Sequence, residues 1–510
     1  MKIQTQHKIM ELDPLSKILE QERQKGKRIV LCHGVFDILH IGHIRYFQEA
    51  KSYGDVLIVT ITPDRFVNKG PNRPYFSQDF RTEAIAALEM VDFVAINEWP
   101  TAIETILLLK PDFYVKGPDY KNVTNDITGN IQREEEVVRS VGGKLVCTDT
   151  VQFSSSSLIN ERLSPYSSEQ KDYLTRLKEK YTLSDIVSYF NTIQKLHVVV
   201  VGEAIVDEYV FCNPLGKSGK EPILVSQKLS SQLFSGGSLL IANHLSEFVK
   251  EVTLLSYIGQ NREYEAFMMS QLKPNVRVNW IEKTHSPTIL KRRYLDHYSK
   301  AKLFGIYELN DELLREKEET QFCSQFITLA SEADAVIVSD YGHGLITHKA
   351  VEALIKYSPI LCVNTQLNAA NIGFHTISKY PSFHFGCIHE GELRQDFRSR
   401  TQSVEELTQR AYEKLKCEKL IITRGSNGAL AYSKEEAFIY CPAFADKIVD
   451  RMGGGDALFG IVSLCHSIKM PMELSLFVGN LASSFSVASL GPGEPIQKIN
   501  FLKTIETMLK

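Results

Sequence analysis

Little in this chain points to an oxidising compartment, a bilayer or a polyanionic partner. Its nine cysteines are odd in number and scattered from Cys32 to Cys465, with no C-x-x-C pair. That excludes a zinc knuckle or a disulfide framework and leaves reduced thiols as the plain reading. No long apolar run occurs: Leu57–Thr62 and His197–Val201 fall far short of the ~20 residues a membrane span needs. An excess of one charge is also missing, since 58 Lys and Arg face 61 Asp and Glu for a net charge of −3. A nucleic-acid groove or a surface for acidic lipid would call for a basic surplus, so neither partner is expected. The opening MKIQTQHKIMELDPLSKILEQERQKGKR has no apolar core of a signal peptide and reads as a polar helix. A cytoplasmic location is the resulting expectation. No internal repeat is visible, and no low-complexity segment beyond the serines at 154–157.

What is present is length and alternation. At 510 residues, 43% hydrophobic and 23% charged, the chain has the composition of a globular protein with two to four domains. Strands are expected at Arg28–Cys32, Val56–Thr62, Phe93–Ile96, Phe113–Lys116 and Lys144–Cys147. Helices are expected at Ile41–Tyr53, Phe80–Met90 and Thr101–Lys110. Such spacing argues for βαβ units and a parallel sheet. Residues 163–195, opening near LSPYSSEQK, read as a linker with a helix around Leu183–Leu196. A second α/β block then starts at the buried strand His197–Val201 and runs to residue 510. The expected limits are 1–162 for the first domain and 196–510 for the second.

The first constellation is H-G-V-F-D-I-L-H-I-G-H, residues 33–43. A strand delivers the chain into a glycine-containing loop, and the following helix points its free N–H groups back at it. A helix N-terminus is an anion site. Two imidazoles, His40 and His43, flank Gly42 and add donors for phosphate oxygens. A lone loop histidine is usually a core residue, but a pair at a strand-to-helix turn favours function.

These residues resemble the H-x-G-H signature of cytidylyltransferase-like nucleotidyltransferases, and more closely the transferase half of bacterial bifunctional ADP-heptose synthases. Lys69-Gly-Pro-Asn-Arg73-Pro74, Arg81, Lys116-Gly-Pro-Asp119-Tyr120 and Phe153-Ser154-Ser155-Ser156-Ser157 carry the likeness onward, over about residues 25–162. The resemblance implies attack of a sugar-1-phosphate oxygen on the α-phosphate of a nucleoside triphosphate, with pyrophosphate leaving. Charge neutralisation and alignment do the work, and no protein nucleophile is needed. In that reading His40, His43 and Lys69 are catalytic, and Arg73 holds the triphosphate. Gly34, Phe36, Asp37, Gly42, Arg81, Asp119 and the hydroxyls of Ser154, Ser155 and Ser156 meet the nucleotide. Lys116 faces the acceptor phosphate. Asp37 either orients the loop or caps it.

The second constellation is I-V-D-R-M-G-G-G-D, ending at Asp456 before a strongly apolar helix. Amides of consecutive glycines at a helix start form an anion hole, and the Asp stands beside it as a base. The stretch resembles the G-A-G-D motif of ribokinase-type (PfkB) sugar kinases, which implies that Asp456 deprotonates the attacking hydroxyl. Gly453, Gly454 and Gly455 would then hold the developing phosphate charge. Val201–Asp207, Phe234–Gly237, Val338–Gly344 and Leu420–Gly428 extend the likeness over roughly residues 196–505. It implies sugar contacts at Asp207, Gly236, Gly237 and Asp340, nucleotide contacts at Thr423 and Gly425, and a metal contact at Glu392. Lys291 and Arg293 are candidates for a sugar phosphate, although a charge cluster is often only a solvated face. Four departures stand out: Leu240 in place of a sugar-binding Asn, Asn364-Thr365-Gln366 in place of D-P-K, His389 in place of the Asn of N-x-x-E, and Met452 in place of Thr. The domain order is also the reverse of the familiar synthase.

The fold expected is thus α/β, a Rossmann-like nucleotidyltransferase domain followed by a ribokinase-like domain. The leading reading is a bifunctional enzyme of nucleotide-sugar biosynthesis, on the path to lipopolysaccharide or other surface polysaccharide. It would take a sugar phosphate and ATP (or CTP), with Mg²⁺ bridging adjacent phosphates. One rival keeps only the transferase active, with a relict kinase fold for binding or dimerisation. Another is a CTP-dependent transferase acting on a polyol phosphate. Assembly as a homodimer is left open.

Overall fold

Runs such as Val56–Ile61 (VLIVTI) are apolar almost throughout, which fits strands covered on both faces. The computed structural model describes residues 5–67, 73–118, 130–148, 166–369, 371–492 and 494–509, and it covers these runs on both sides. The chain divides into two compact units, residues 1–167 with 499–510, and residues 168–498.

In the first unit β1 (Ile29–Gly34), β2 (Val56–Ile61), β3 (Phe93–Ile96), β4 (Phe113–Lys116) and β5 (Lys144–Cys147) form one sheet in the order 3-2-1-4-5. All pairs are parallel. The two-residue period splits β1 between two cores. Ile29 and Leu31 join Leu12, Leu15 and Leu19 of the helix Leu12–Gln24. Val30 and Cys32 join Phe47, Ala50 and Ile85 on the other face. The strand order reverses between β1 and β4, and a crevice outside their carboxyl ends is where such sheets bind ligands.

The second unit is built on β6 (His197–Gly202), β9 (Glu251–Gly259), β10 (Val276–Lys283), β13 (Ala335–Asp340), β14 (Leu361–Thr365), β15 (Phe385–His389), β16 (Lys419–Thr423), β17 (Ala429–Ser433) and β18 (Ala437–Cys441). Their order is 10-9-6-13-14-15-16-17-18, parallel except at the last two pairings. Helix Gly454–Ser467 is apolar on nearly every side and is buried along its length, as is much of Met472–Val487. A second sheet, in the order 12-11-7-8, comprises β7 (Ala204–Lys217), β8 (Leu224–Gly237), β11 (Leu290–Asp296) and β12 (Lys302–Glu308). β7 is buried from Ala204 to Cys212 and exposed beyond, so this sheet is rooted in the core and projects from it. Before β6, residues 168–193 form two helices, Ser168–Lys180 and Leu183–Ile193, the latter opened by a capping box between Thr182 and Asp185.

Candidate active sites

The loop after β1 is shaped by three interlocking anchors. Phe36 takes a left-handed backbone, φ 49°, and its ring lies over Gly34, where any Cβ would touch it at 3.0 Å. The same ring meets His43 edge-on at 5.5 Å and Phe47 at 5.0 Å. Asp37 is buried and accepts from the N–H groups of Tyr75 and Phe76 at 2.8 and 3.0 Å, with the Arg73 guanidinium 3.8 Å away. These bonds tie Asp37 to the segment Arg73–Phe76. Burial holds Arg73 below its ordinary range, and Asp37 pulls the other way.

Arg81 is 1% exposed. It donates to the carbonyls of Val35, Thr62 and Phe76 and to the Asp64 carboxylate. Its guanidinium therefore sits inside the wall of the crevice, bonded to protein oxygens through all three nitrogens, where a nucleotide contact had been expected. Arg81→Ala should cost roughly 3 kcal/mol, because it strands several buried acceptors. Thermal denaturation of the first unit is the measurement.

His40 is the N-cap of helix Ile41–Lys51, and its Nδ1 accepts from Gly42 N–H at 3.1 Å. That bond puts the proton of the neutral ring on Nε2, a donor for a phosphate oxygen. Burial lowers the His40 pKa, favouring the neutral ring. His43 stacks on it at 4.0 Å and 24°. Across the crevice, at the end of β4, the Lys116 ammonium lies 3.0 Å from Glu134, which also accepts from Tyr114 Oη. Burial pushes the Glu134 carboxyl up, but Lys116 and His33 outweigh it and hold it below the usual range. His33, not singled out from the sequence, is half-buried between the Thr60 and Thr62 hydroxyls at 3.0 and 3.3 Å. Burial, with Lys116 adding to it, drops its pKa to about 4. Lys69, Asp119, Ser154, Ser155 and Ser156 lie outside the described residues.

In the second unit Gly453 caps helix Gly454–Ser467 with φ +80°, and Asp456 stands in the first turn. Its Oδ1 accepts from Tyr341 Oη at 2.9 Å and from Gln366 Nε2. Burial raises the Asp456 pKa to about 6; the two bonds and Lys291 oppose the rise, and Asp207 adds to it. Neither Tyr341 nor Gln366 was chosen as a site residue from the sequence. Gln366 appeared only as a departure from D-P-K, yet that departure supplies the amide.

The three glycines are not equivalent. A Cβ on Gly453 would meet Ser486 Oγ at 2.9 Å and a Leu240 methyl at 3.0 Å; one on Gly454 would meet Val487 at 2.8 Å. A Cβ on Gly455 would enter open space. Gly453→Ala should therefore destabilise the second unit, by about 1–3 kcal/mol, through strain at positive φ and crowding. Gly455→Ala should melt normally and, on the anion-hole reading, lose phosphoryl transfer, because its methyl would enter the space that reading assigns to the phosphate. Calorimetry and a kinase assay separate the two.

Asp207 pairs with Arg293, and Gly236 leaves room for its carboxylate. Gly237, at φ +60°, caps helix Ser238–Ser246. Asp340, expected at the sugar, is instead fully buried; Lys379 and Tyr380 hold Oδ2 at 2.7 Å each, and Gly342 N–H holds Oδ1 at 3.1 Å. It anchors the turn that carries Tyr341. Glu203, missed in the sequence, does the same by accepting from the N–H groups of Tyr341 and His343 at 2.9 and 3.0 Å. His389 is the N-cap of helix Glu390–Asp396, its Nδ1 accepting from Gly391 N–H at 3.0 Å. Glu392 accepts from His389 and Leu367 N–H at 2.7 and 3.0 Å, and burial raises its carboxyl pKa. Thr423 ends β16 and Gly425 follows at φ +56°. Among the described residues no group of three or more acidic, His or Cys side chains converges as a metal site.

These two crevices define a cytidylyltransferase-like region followed by a sugar-kinase domain. The chain belongs to the pfkB family of carbohydrate kinases, whose pattern matches residues 195–499. A cytidylyltransferase-like pattern matches residues 31–162. The chain is 39% identical over 165 residues to the bifunctional protein HldE of Geobacter metallireducens, covering 32% of each chain. It is 43% identical over 139 residues to that of Aliarcobacter butzleri, covering 27% of this chain and 29% of the relative. The chain thus spans about a third of the length of these curated relatives. Among solved structures, Escherichia coli phosphofructokinase-2 with potassium is similar at 14% identity and a TM-score of 0.49, over 62% of this chain and 99% of that one. Arabidopsis thaliana ribokinase with ribose and ATP is similar at 18% identity and a TM-score of 0.47, over the same shares. No helix among the described residues is long and apolar enough to cross a membrane.

Proposed function

We propose that the chain is a bifunctional enzyme of nucleotide-sugar biosynthesis, with the transferase in residues 1–162 and the kinase in 196–510. The kinase half phosphorylates a sugar or sugar phosphate. The transferase half joins a sugar-1-phosphate to a nucleoside triphosphate, in an ADP-heptose-like step towards surface polysaccharide. The observation carrying the kinase reading is the buried Asp456, poised at a glycine-capped helix start with both donors on Oδ1. Among the described residues Oδ2 accepts no hydrogen bond, which suits it to take a hydroxyl proton. On the transferase side the support is the neutral His40 stacked on His43 at a helix N-terminus.

Mg²⁺ fits this chemistry as a partner of the nucleotide phosphates. The ion keeps several waters and needs only one or two carboxylates. Glu392, whose oxygens each keep a second lone pair, is the residue that would hold it, and the ion would neutralise charge between adjacent phosphates. A second reading leaves the kinase fold as a binding module; the Leu240 methyl packed beside Gly453, where a polar sugar contact was expected, favours it. The test is ADP release by the full chain against a sugar and sugar-phosphate panel, with Asp456→Asn as control. Release that ignores the panel and the substitution would discard the kinase reading. A triphosphate panel does the same for the transferase half: ATP preference supports the heptose-like step, and CTP preference supports a polyol phosphate acceptor. The reaction places the enzyme in the cytoplasm, where nucleoside triphosphates are made.

A further inference from the structure

The turn that carries Tyr341 also carries a histidine for which neither reaction yet has a use. His343 is 1% exposed, and its Nδ1 lies 2.7 Å from Asp311 Oδ1. With that proton directed to the carboxylate, the neutral ring presents a lone pair at Nε2. Nε2 is buried and has no hydrogen-bond partner among the described residues. Burial first, then the charge of Lys291, holds the ring below the ordinary histidine range, while Glu203 and Asp311 pull the other way.

Lys291 is the second group. It stands on β11 directly opposite Asp207 of β7. Its side chain is nearly buried, 8% exposed for the residue, between the rings of Tyr307 and Tyr341 at 5.8 and 6.0 Å. Asp207 answers Arg293 instead, and among the described residues Lys291 has no ion pair. Tyr341, whose ring Lys291 flanks, donates to the proposed base Asp456 at 2.9 Å. A buried acceptor without a partner is costly to maintain when empty. The cost is recovered when a molecule donates to it.

We propose that Nε2 of His343, oriented by Asp311, and Nζ of Lys291 form a hydroxyl-reading subsite for the sugar acceptor of the kinase-type half. Nε2 accepts from a sugar O–H, and Lys291 donates to a second oxygen of the same molecule. A phosphate dianion has no proton to offer Nε2, so the imidazole selects a polyol segment. The subsite rests on the kinase reading and names what that site recognises.

The full chain, with Mg²⁺ and a non-hydrolysable ATP analogue, is titrated calorimetrically with ribose, fructose 6-phosphate and mannoheptose 7-phosphate. The sugar that the unaltered chain binds and phosphorylates should lose about tenfold to a hundredfold in affinity with His343→Leu. His343→Gln keeps an acceptor oxygen and should lose about threefold or less. Asp311→Asn, at a partly exposed position, should fold normally and still weaken the sugar about tenfold, because its amide can push the ring proton onto Nε2. Unchanged binding in His343→Leu, or equal loss in the folded Leu and Gln variants, overturns the subsite while leaving the kinase intact. If the unaltered chain neither binds nor phosphorylates any of the three, the kinase reading fails and the subsite with it.

Discussion

His40→Ala is expected to slow nucleotide-sugar formation by about 10²–10⁴-fold while leaving phosphoryl transfer at Asp456 unchanged. The magnitude follows from what the ring does. Gly42 N–H donates to Nδ1, which puts the ring proton on Nε2, the atom that in the proposed reaction meets the charge building on a phosphate oxygen. The substitution also removes an N-cap, worth ~1 kcal/mol to the helix Ile41–Lys51. His40→Asn separates the two effects, since an Asn side chain caps a helix as well as any. That variant should melt like the unaltered protein and still be nearly inactive in the transferase assay. Transferase turnover within threefold of normal in both variants would mean that the histidine is only a cap.

The parts legible in the sequence share one property: their pattern is local. Phe93–Ile96, Phe113–Lys116 and Lys144–Cys147 are strands to the residue, because short β-branched and aromatic runs between turn signals leave few alternatives. The helix expected at Phe80–Met90 instead runs from Gln78 to Ala86. Its start is set by Arg81, which draws the Phe76 and Val35 carbonyls around it, a long-range requirement no window of sequence displays. The second sheet of the kinase unit was not anticipated. The long strands β7 and β8 pair from Ala204–Gly237 out to Lys217–Leu224, and their outer ends are exposed on both faces, so alternation is weak there.

The sites divide in the same way. The glycine-and-Asp turn and the paired histidines announce themselves, since each motif packs its chemistry into a few neighbouring residues. Tyr341 and Gln366 lie 115 and 90 residues from Asp456 and meet it only in three dimensions. Asp340 and Arg81 mark the converse error. Both have the residue type of a ligand contact, yet burial has committed them to protein partners. A charged side chain deep in a wall is more economically used in holding the wall than in reaching through it.

Asp456→Asn carries the other large effect, and stability and activity should move in opposite directions. Phosphoryl transfer should fall by at least about 10³-fold, because the amide cannot take the hydroxyl proton. In the unaltered chain the folded-state pKa of about 6 lies above the ordinary aspartate value of 3.8. The folded state therefore binds the proton more tightly than the unfolded one. As pH rises from about 4 to 6 the carboxyl costs the fold a growing amount, and above 6 the full cost is on the order of 3 kcal/mol. Asn keeps an oxygen for Tyr341 and Gln366 but never ionises, so it escapes that cost. Asp456→Asn should thus unfold at a higher temperature than the unaltered chain at pH 7.5 and lose the advantage by pH 4. The kinase rate of the unaltered chain should fall as pH drops through 6, and Tyr341→Phe, which removes a bond favouring the carboxylate, should move that limb upward. A melting difference independent of pH, or a rate that stays flat through pH 6, would mean that Asp456 is not the group that ionises for catalysis.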